Sequence, residues 1–118
     1  LSSLLRNGVK AALSSDAPVI NPNPMHGLYF ALAHKTKSGR SIAPEQRVEM
    51  LQALRAYTLH GAYASFEEKI KGSIEVGKLA DMAVLSRNIL SVPAEELLDV
   101  SVDLTMVDGE IVFRQPSL

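Results

Sequence analysis

One carboxylate in this sequence stands where chemistry is commonly done. Asp16 follows the run Val9–Ser14, whose apolar Val9, Ala11, Ala12 and Leu13 suit a strand buried on both faces. It opens a loop that carries Pro18, Pro22 and Pro24. In parallel α/β folds, and in (β/α)8 barrels above all, reacting side chains collect at the C-terminal ends of the strands. A carboxylate there can ligate a metal, act as a general base, or do both. The same residue type can instead accept a backbone hydrogen bond and cap the turn. The three histidines are His26, His34 and His60. Their spacing makes no HxH or HxxxH pair, so no metal-ligand pattern exists within the chain. His34 falls late in an expected helix, where the dipole favours a cation. Each histidine reads first as a structural or surface residue.

Other patterns carry less. Gly72, Gly77 and Gly109 are turn glycines with no helix following closely spaced glycines, which excludes a phosphate loop. Ser14 and Ser15 lack the GxSxG elbow of a nucleophilic serine. Glu67, Glu68, Lys69 and Lys71 form a mixed-charge stretch that suits a solvated face.

The elements that must position Asp16 are readable from spacing. Leu1, Leu4 and Leu5 end a helix that Asn7-Gly8 terminates, so helix, glycine and strand follow in the order of an αβ unit. A short buried helix is expected over Leu28–Lys35, closed by Thr36-Lys37-Ser38-Gly39. Pro44–Tyr57 is expected as one helix, with Pro44 in its first turn and an apolar face from Val48 to Tyr57. Thr58 caps a third helix, Leu59–Phe66. After Lys71 the character turns to β. Ala80–Leu85 is one strand, Pro93–Leu98 a helical turn, and Ser101–Met106 alternates strictly between polar and apolar. Asp108-Gly109 then joins it to Glu110–Arg114, the pattern of a two-residue type I′ hairpin. The expectation is an α/β unit over residues 1–70 and an antiparallel β part over 71–118. The parallel strand of the first part has no second strand to pair with.

Composition narrows the function classes. With 12 Lys plus Arg against 13 Asp plus Glu and no basic block, the footprint of a nucleic-acid binder is missing. No apolar stretch approaches the roughly 20 residues of a membrane span, and no basic run followed by an apolar one opens the chain, so cytoplasm is the expected compartment. Zero cysteines excludes disulfides, thiolate nucleophiles and cysteine-based metal sites.

Four segments, taken together and in order, resemble one family. Gly8-Val9-Lys10-Ala11-Ala12-Leu13-Ser14-Ser15-Asp16-Ala17-Pro18 resembles the eighth-strand motif of metal-dependent amidohydrolases, in which a strand ends in Ser-Asp. Ala53–Thr58 and Gly61–Ala64 resemble the helices that follow it. Gly72-Ser73-Ile74-Glu75-Val76-Gly77-Lys78-Leu79-Ala80-Asp81 is similar to the segment leading into the family's small β domain. Val107-Asp108-Gly109-Glu110 resembles its closing hairpin. The Ser-Asp-Ala-Pro form, with Lys35–Gly39 downstream, is most similar to amidohydrolase family 3, the YtcJ-like hydrolases.

The resemblance implies a fold of α/β plus β: the last βα portion of a (β/α)8 barrel over 1–70, incomplete here, and the C-terminal share of a β-sandwich over 71–118. It implies hydrolysis of C–N, amide-type bonds in small molecules, assisted by one or two divalent cations, zinc above all. Asp16 is then the candidate metal ligand and the candidate catalytic residue, taking a proton from the attacking water and passing it to the leaving nitrogen. The family's HxH pair and its other ligands have no match in this chain. The expectation is accordingly a piece of such an enzyme, inactive and metal-free by itself, that needs a completing chain or self-association to pair its orphan strand. The alternative is a non-catalytic binding or interaction module derived from the same part of the family.

Overall fold

The computed structural model describes residues 1–36 and 38–116. Lys37, in the segment read above as closing a helix, lies outside the described residues, as do Ser117 and Leu118. Among the described residues there are four α-helices: α1 (Ser2–Arg6), α2 (Pro24–Ala33), α3 (Met50–Tyr57) and α4 (Leu59–Ala64). Two 3₁₀ turns, Pro44–Gln46 and Ala94–Asp99, and three strands complete the order: β1 (Met82–Leu85), β2 (Val102–Val107) and β3 (Glu110–Arg114).

Local chemistry sets the helix boundaries. α2 begins four residues before the expected start, because Pro24 suits the first helical position and the Asn23 side chain accepts from the Met25 N–H at 3.0 Å. It ends at His34, whose φ of 48° is left-handed. The single helix expected over Pro44–Tyr57 is broken: Arg47 has ψ 148° and leaves the helical region. The break is held from outside. Val48 N–H donates to Ala31 O at 3.1 Å and Arg47 Nε to Ala33 O at 2.9 Å, which satisfies carbonyls at the end of α2. α3 then starts afresh, with the Gln52 side chain accepting from Glu49 N–H at 3.0 Å.

The sheet has the order β1-β2-β3 and is antiparallel throughout. Asp108 and Gly109 connect β2 to β3 with φ of 49° and 81°, the pair of positive values a type I′ turn requires. Val107 faces Glu110 and Met106 faces Ile111, after which an irregularity shifts the register before Thr105 pairs with Phe113. The strict alternation of β2 does not become an alternation of burial, since Val102–Met106 are all half-buried. Ile111, Val112 and Phe113 are consecutive and all exposed, so solvent reaches both faces of β3.

The core joins the helices to the 3₁₀ turn that precedes β2. Met25, Leu28, Ala31, Val48 and Ala53 cluster with Ile89, Leu97 and Val100. Leu28 and Leu97 are buried completely, each worth about 1.5–3 kcal/mol in water-exclusion terms. An apolar cleft of about 620 Å³ remains between Leu54 and Tyr57 on the helices and Met82, Leu85 and Val102 of the sheet. No helix among the described residues is long and apolar enough to cross a membrane.

The segment Val9–Ser14 departs from expectation. It belongs to no ladder and turns tightly at Lys10, where Ala11 N–H donates to Val9 O at 3.0 Å, and Val9 is 48% exposed rather than buried on both faces. The physical reason is that strand structure needs a hydrogen-bonded neighbour, and none of the described strands lies beside it.

Candidate functional site

The helices hold the Val9–Leu13 segment in place of a sheet. Leu13 N–H donates to Ala56 O, at the end of α3, over 3.0 Å. His60 on α4 donates Nδ1–H to Ala11 O at 3.0 Å; a carbonyl only accepts, so this contact fixes the tautomer. The Lys10 ammonium sits 4.0 Å above the ring of Tyr63, also on α4. Three contacts along five residues give the segment a defined path to Asp16.

Asp16 adopts φ 54°, a left-handed conformation that an aspartate tolerates better than most side chains. Its N–H donates to Ser14 Oγ at 3.2 Å, and its carbonyl accepts from Val19 N–H at 2.9 Å. Both backbone groups are thus committed to the turn. The carboxylate is exposed and accepts no hydrogen bond among the described residues, so it does not cap the turn.

The histidines do not join it. His26 lies exposed in the first turn of α2. His34 is buried to 7% exposure, donates Nδ1–H to Ile42 O at 2.9 Å and stacks on Phe30 with ring centroids 4.8 Å apart. It stands at the end of α2, near where the sequence placed it, and pins the following loop. His60 serves the backbone of Ala11. Asn21 and Asn23 are likewise spent on the backbone, at Asn23 N–H and Met25 N–H. Among the described residues no group of three or more His, Cys, Asp or Glu is arranged to hold a metal ion. The donor set offered here is one carboxylate, which does not fit a catalytic ion by itself.

Two side chains that the sequence reading named only within an apolar face or a motif stand in defined places. Asp81, in the Ala80-Asp81 pair, accepts from the Asp108 N–H at 2.8 Å and so ties the start of β1 to the hairpin turn 27 positions later. Asp108-Gly109 was visible as a turn, but nothing local in the sequence reveals the acceptor. Tyr57 lines the apolar cleft, and burial pushes its phenol up from the ordinary value.

Comparison with known proteins follows the same segments. A family model described as "Amidohydrolase family" matches residues 1–113. An N-substituted formamide deformylase from Arthrobacter pascens is 35% identical over 113 residues, which is 96% of this chain and 21% of the deformylase. A 5-methylthioadenosine/S-adenosylhomocysteine deaminase from Thermoanaerobacter pseudethanolicus is 30% identical over 126 residues, 97% of this chain and 28% of that protein. Among solved structures, an amidohydrolase from Thermotoga maritima superposes with a TM-score of 0.71 at 28% identity, covering 96% of this chain and 25% of that one. The chain therefore spans about a fifth to a quarter of the length of the relatives it matches.

Proposed function

The chain belongs to the amidohydrolase family, and on that premise we propose that it forms the Asp-bearing end of a hydrolase acting on C–N bonds of small amide-type molecules. Of the two relatives named above, the deformylase is named for N-substituted formamides, which are amides, and the deaminase for removal of an amino group, so both names describe cleavage of a C–N bond. In this reading residues 1–70 are the last strand and helices of a barrel, and residues 71–118 contribute strands to a flanking β-sandwich. The Val9–Leu13 segment gains its ladder when a neighbouring strand, from a completing chain or a second copy, lies beside it.

The observation that carries the proposal is Asp16 itself. Its backbone is fixed in the left-handed region while its carboxylate is exposed and uncommitted. Such a group can accept a proton from a water attacking an amide carbonyl and return it to the departing nitrogen, which leaves as a neutral amine. A divalent cation, zinc in the reading from sequence, supplies hydroxide near neutral pH when bound. Asp16 would be one of its ligands, and the described residues do not provide the others.

The test is made on a polypeptide that carries this chain together with the rest of a family-length sequence. With an N-substituted formamide as substrate, Asp16→Asn is expected to lower kcat by 10²-fold or more while circular dichroism stays unchanged. Near-normal kcat with normal metal content would overturn the role given to Asp16. Stoichiometric zinc retained by the 118-residue chain alone would overturn the claim that its own ligands are too few.

A further inference from the structure

The free edge of the sheet carries a symmetry of charge in its own sequence. β3 stands at the end of the order β1-β2-β3, so only one of its two sides is paired. The other side offers backbone N–H and C=O groups to which a further strand can add. Its five residues read Glu110-Ile111-Val112-Phe113-Arg114, and all are exposed. Edges are commonly guarded by charges or proline along their length. Here the charges stand only at the two ends, with three apolar side chains between them. Neither Glu110 nor Arg114 takes part in an ion pair among the described residues.

A second copy of the same strand fits this edge. Laid antiparallel and centred on Val112, it sets Glu110 opposite Arg114 at one end and Arg114 opposite Glu110 at the other. Ile111 then faces Phe113 on either side of the centre, and Val112 faces its counterpart. Opposite charges and aromatic–β-branched pairs are the favourable ones directly across a ladder. A shift of one residue either way sets Glu110 against Phe113, or Ile111 against Arg114. Parallel pairing in register opposes Glu110 to Glu110 and Arg114 to Arg114, which repel. β1, the opposite edge, holds no charged residue to answer either one. The centre is also the residue that β2 leaves over. Met106 pairs with Ile111 and Thr105 with Phe113, so Val112 is passed by, and at 60% it is the most exposed of the three apolar residues.

From this we propose that β3 is a self-association edge, joining the three-stranded sheets of two copies of this chain about a two-fold axis at Val112. Such an interface is isologous: each charge pair occurs twice, so one substitution acts at two places. Pro116, which has no N–H to give, and the Asp108-Gly109 turn confine the ladder to the strand between them. A contact of that length is smaller than a standard interface, so the dimer is weak, with Kd in the range of roughly 10 µM to 1 mM.

The test is sedimentation equilibrium of the 118-residue chain at concentrations from about 10 µM to about 2 mM, where a reversible monomer–dimer equilibrium is expected. Arg114→Glu and Glu110→Arg each make both charge pairs repulsive and should raise Kd tenfold or more, with circular dichroism unchanged because both side chains are exposed. The double variant Glu110→Arg/Arg114→Glu restores the pairs and the dimer, and so does an equimolar mixture of the two single variants. Val112→Cys reports the register. The chain has no cysteine of its own, and Cα atoms opposed across a ladder, about 4.5–5.5 Å apart, lie within disulfide range. Mild oxidation should link Val112→Cys chains much faster than Val19→Cys chains, whose substituted position is exposed but off the sheet. A chain that stays monomeric at the top concentration overturns the proposal. A dimer that persists in Arg114→Glu, or that the double variant fails to restore, overturns it too and places the contact on another surface. If a single charge variant does not fold, the double variant and the Val112→Cys linkage still decide.

Discussion

Gly72 and Gly77 bracket the turn that leads from the helices to the sheet, and they offer a matched pair of perturbations. Their φ angles are nearly the same, +93° and +90°. Their surroundings are not. A Cβ at Gly72 would stand 2.7 Å from Ala62 Cβ and 3.2 Å from Leu59 Cα, whereas at Gly77 nothing lies within 4 Å. Alanine at either position bears the left-handed penalty of about 1–2 kcal/mol. It also reduces the freedom of the unfolded chain by a similar amount in both, so that contribution cancels in the comparison. Only Gly72→Ala adds overpacking against α4, where the obstacle includes backbone and cannot swing aside, at about 1–3 kcal/mol. Gly77→Ala should therefore cost about 1 kcal/mol net and Gly72→Ala about 2–4 kcal/mol. For a chain of this size that is a further drop in Tm of roughly 4–12 °C for Gly72→Ala relative to Gly77→Ala. Urea and thermal unfolding of both variants measure the difference directly. Equal stabilities would refute the reasoning, because they would mean that the turn does not press on α4.

Two more outcomes follow from contacts described above. Asp81→Ala removes the acceptor for Asp108 N–H and should cost about 1 kcal/mol, with Asp81→Asn recovering most of it; chemical denaturation checks both, and an unchanged Asp81→Ala would show that water replaces the bond without loss. Stability should also fall in acid. Hydrogen bonds from Lys71 and Ser65 hold Glu67 below the ordinary carboxylate range, and those from Lys78 and Ser73 do so for Glu75. Glu95 is lowered by its own N–H and then by Lys35. A lowered folded-state value means that the unfolded chain binds the proton more tightly, so this stability is present above about pH 4.3 and is lost as pH drops through the folded values. Urea midpoints should fall from about pH 5 to pH 3, and added salt should shrink the fall, since these carboxylates are exposed. A midpoint that does not move would refute the assignment.

Much of the fold was legible because its signals are local. Asp108-Gly109 demands positive φ at two adjacent positions and receives it. Asn23-Pro24 supplies a cap and a first-turn proline, though apolar spacing alone placed the start of α2 four residues late. What was not legible depends on partners distant in sequence. The break at Arg47 is stabilised by carbonyls of α2, and the same apolar spacing suits an unbroken helix. The exposure of Val9 fits the missing partner strand that the rest of the sequence already announced, although the apolar run 9–14 by itself suits a buried strand. At the candidate site, Asp16 was legible from its place after a strand-like run and before prolines. Its left-handed backbone and its bond to Ser14 were not, because both belong to the turn into which the prolines fold.

The way α3 and α4 grip the Val9–Leu13 segment has a consequence for how any strand would join it. Ordering a free chain into a strand costs about 1–2 kcal/mol of backbone entropy per residue. Here Ala11, Leu13 and Lys10 are already held, through Ala11 O, Leu13 N–H and the Lys10 ammonium. A strand laid alongside would thus meet a template that has lost its freedom in advance, and only the newcomer would still have order to gain. Association of this kind is one-sided, with half of the ladder prepared by helices that never become part of the sheet.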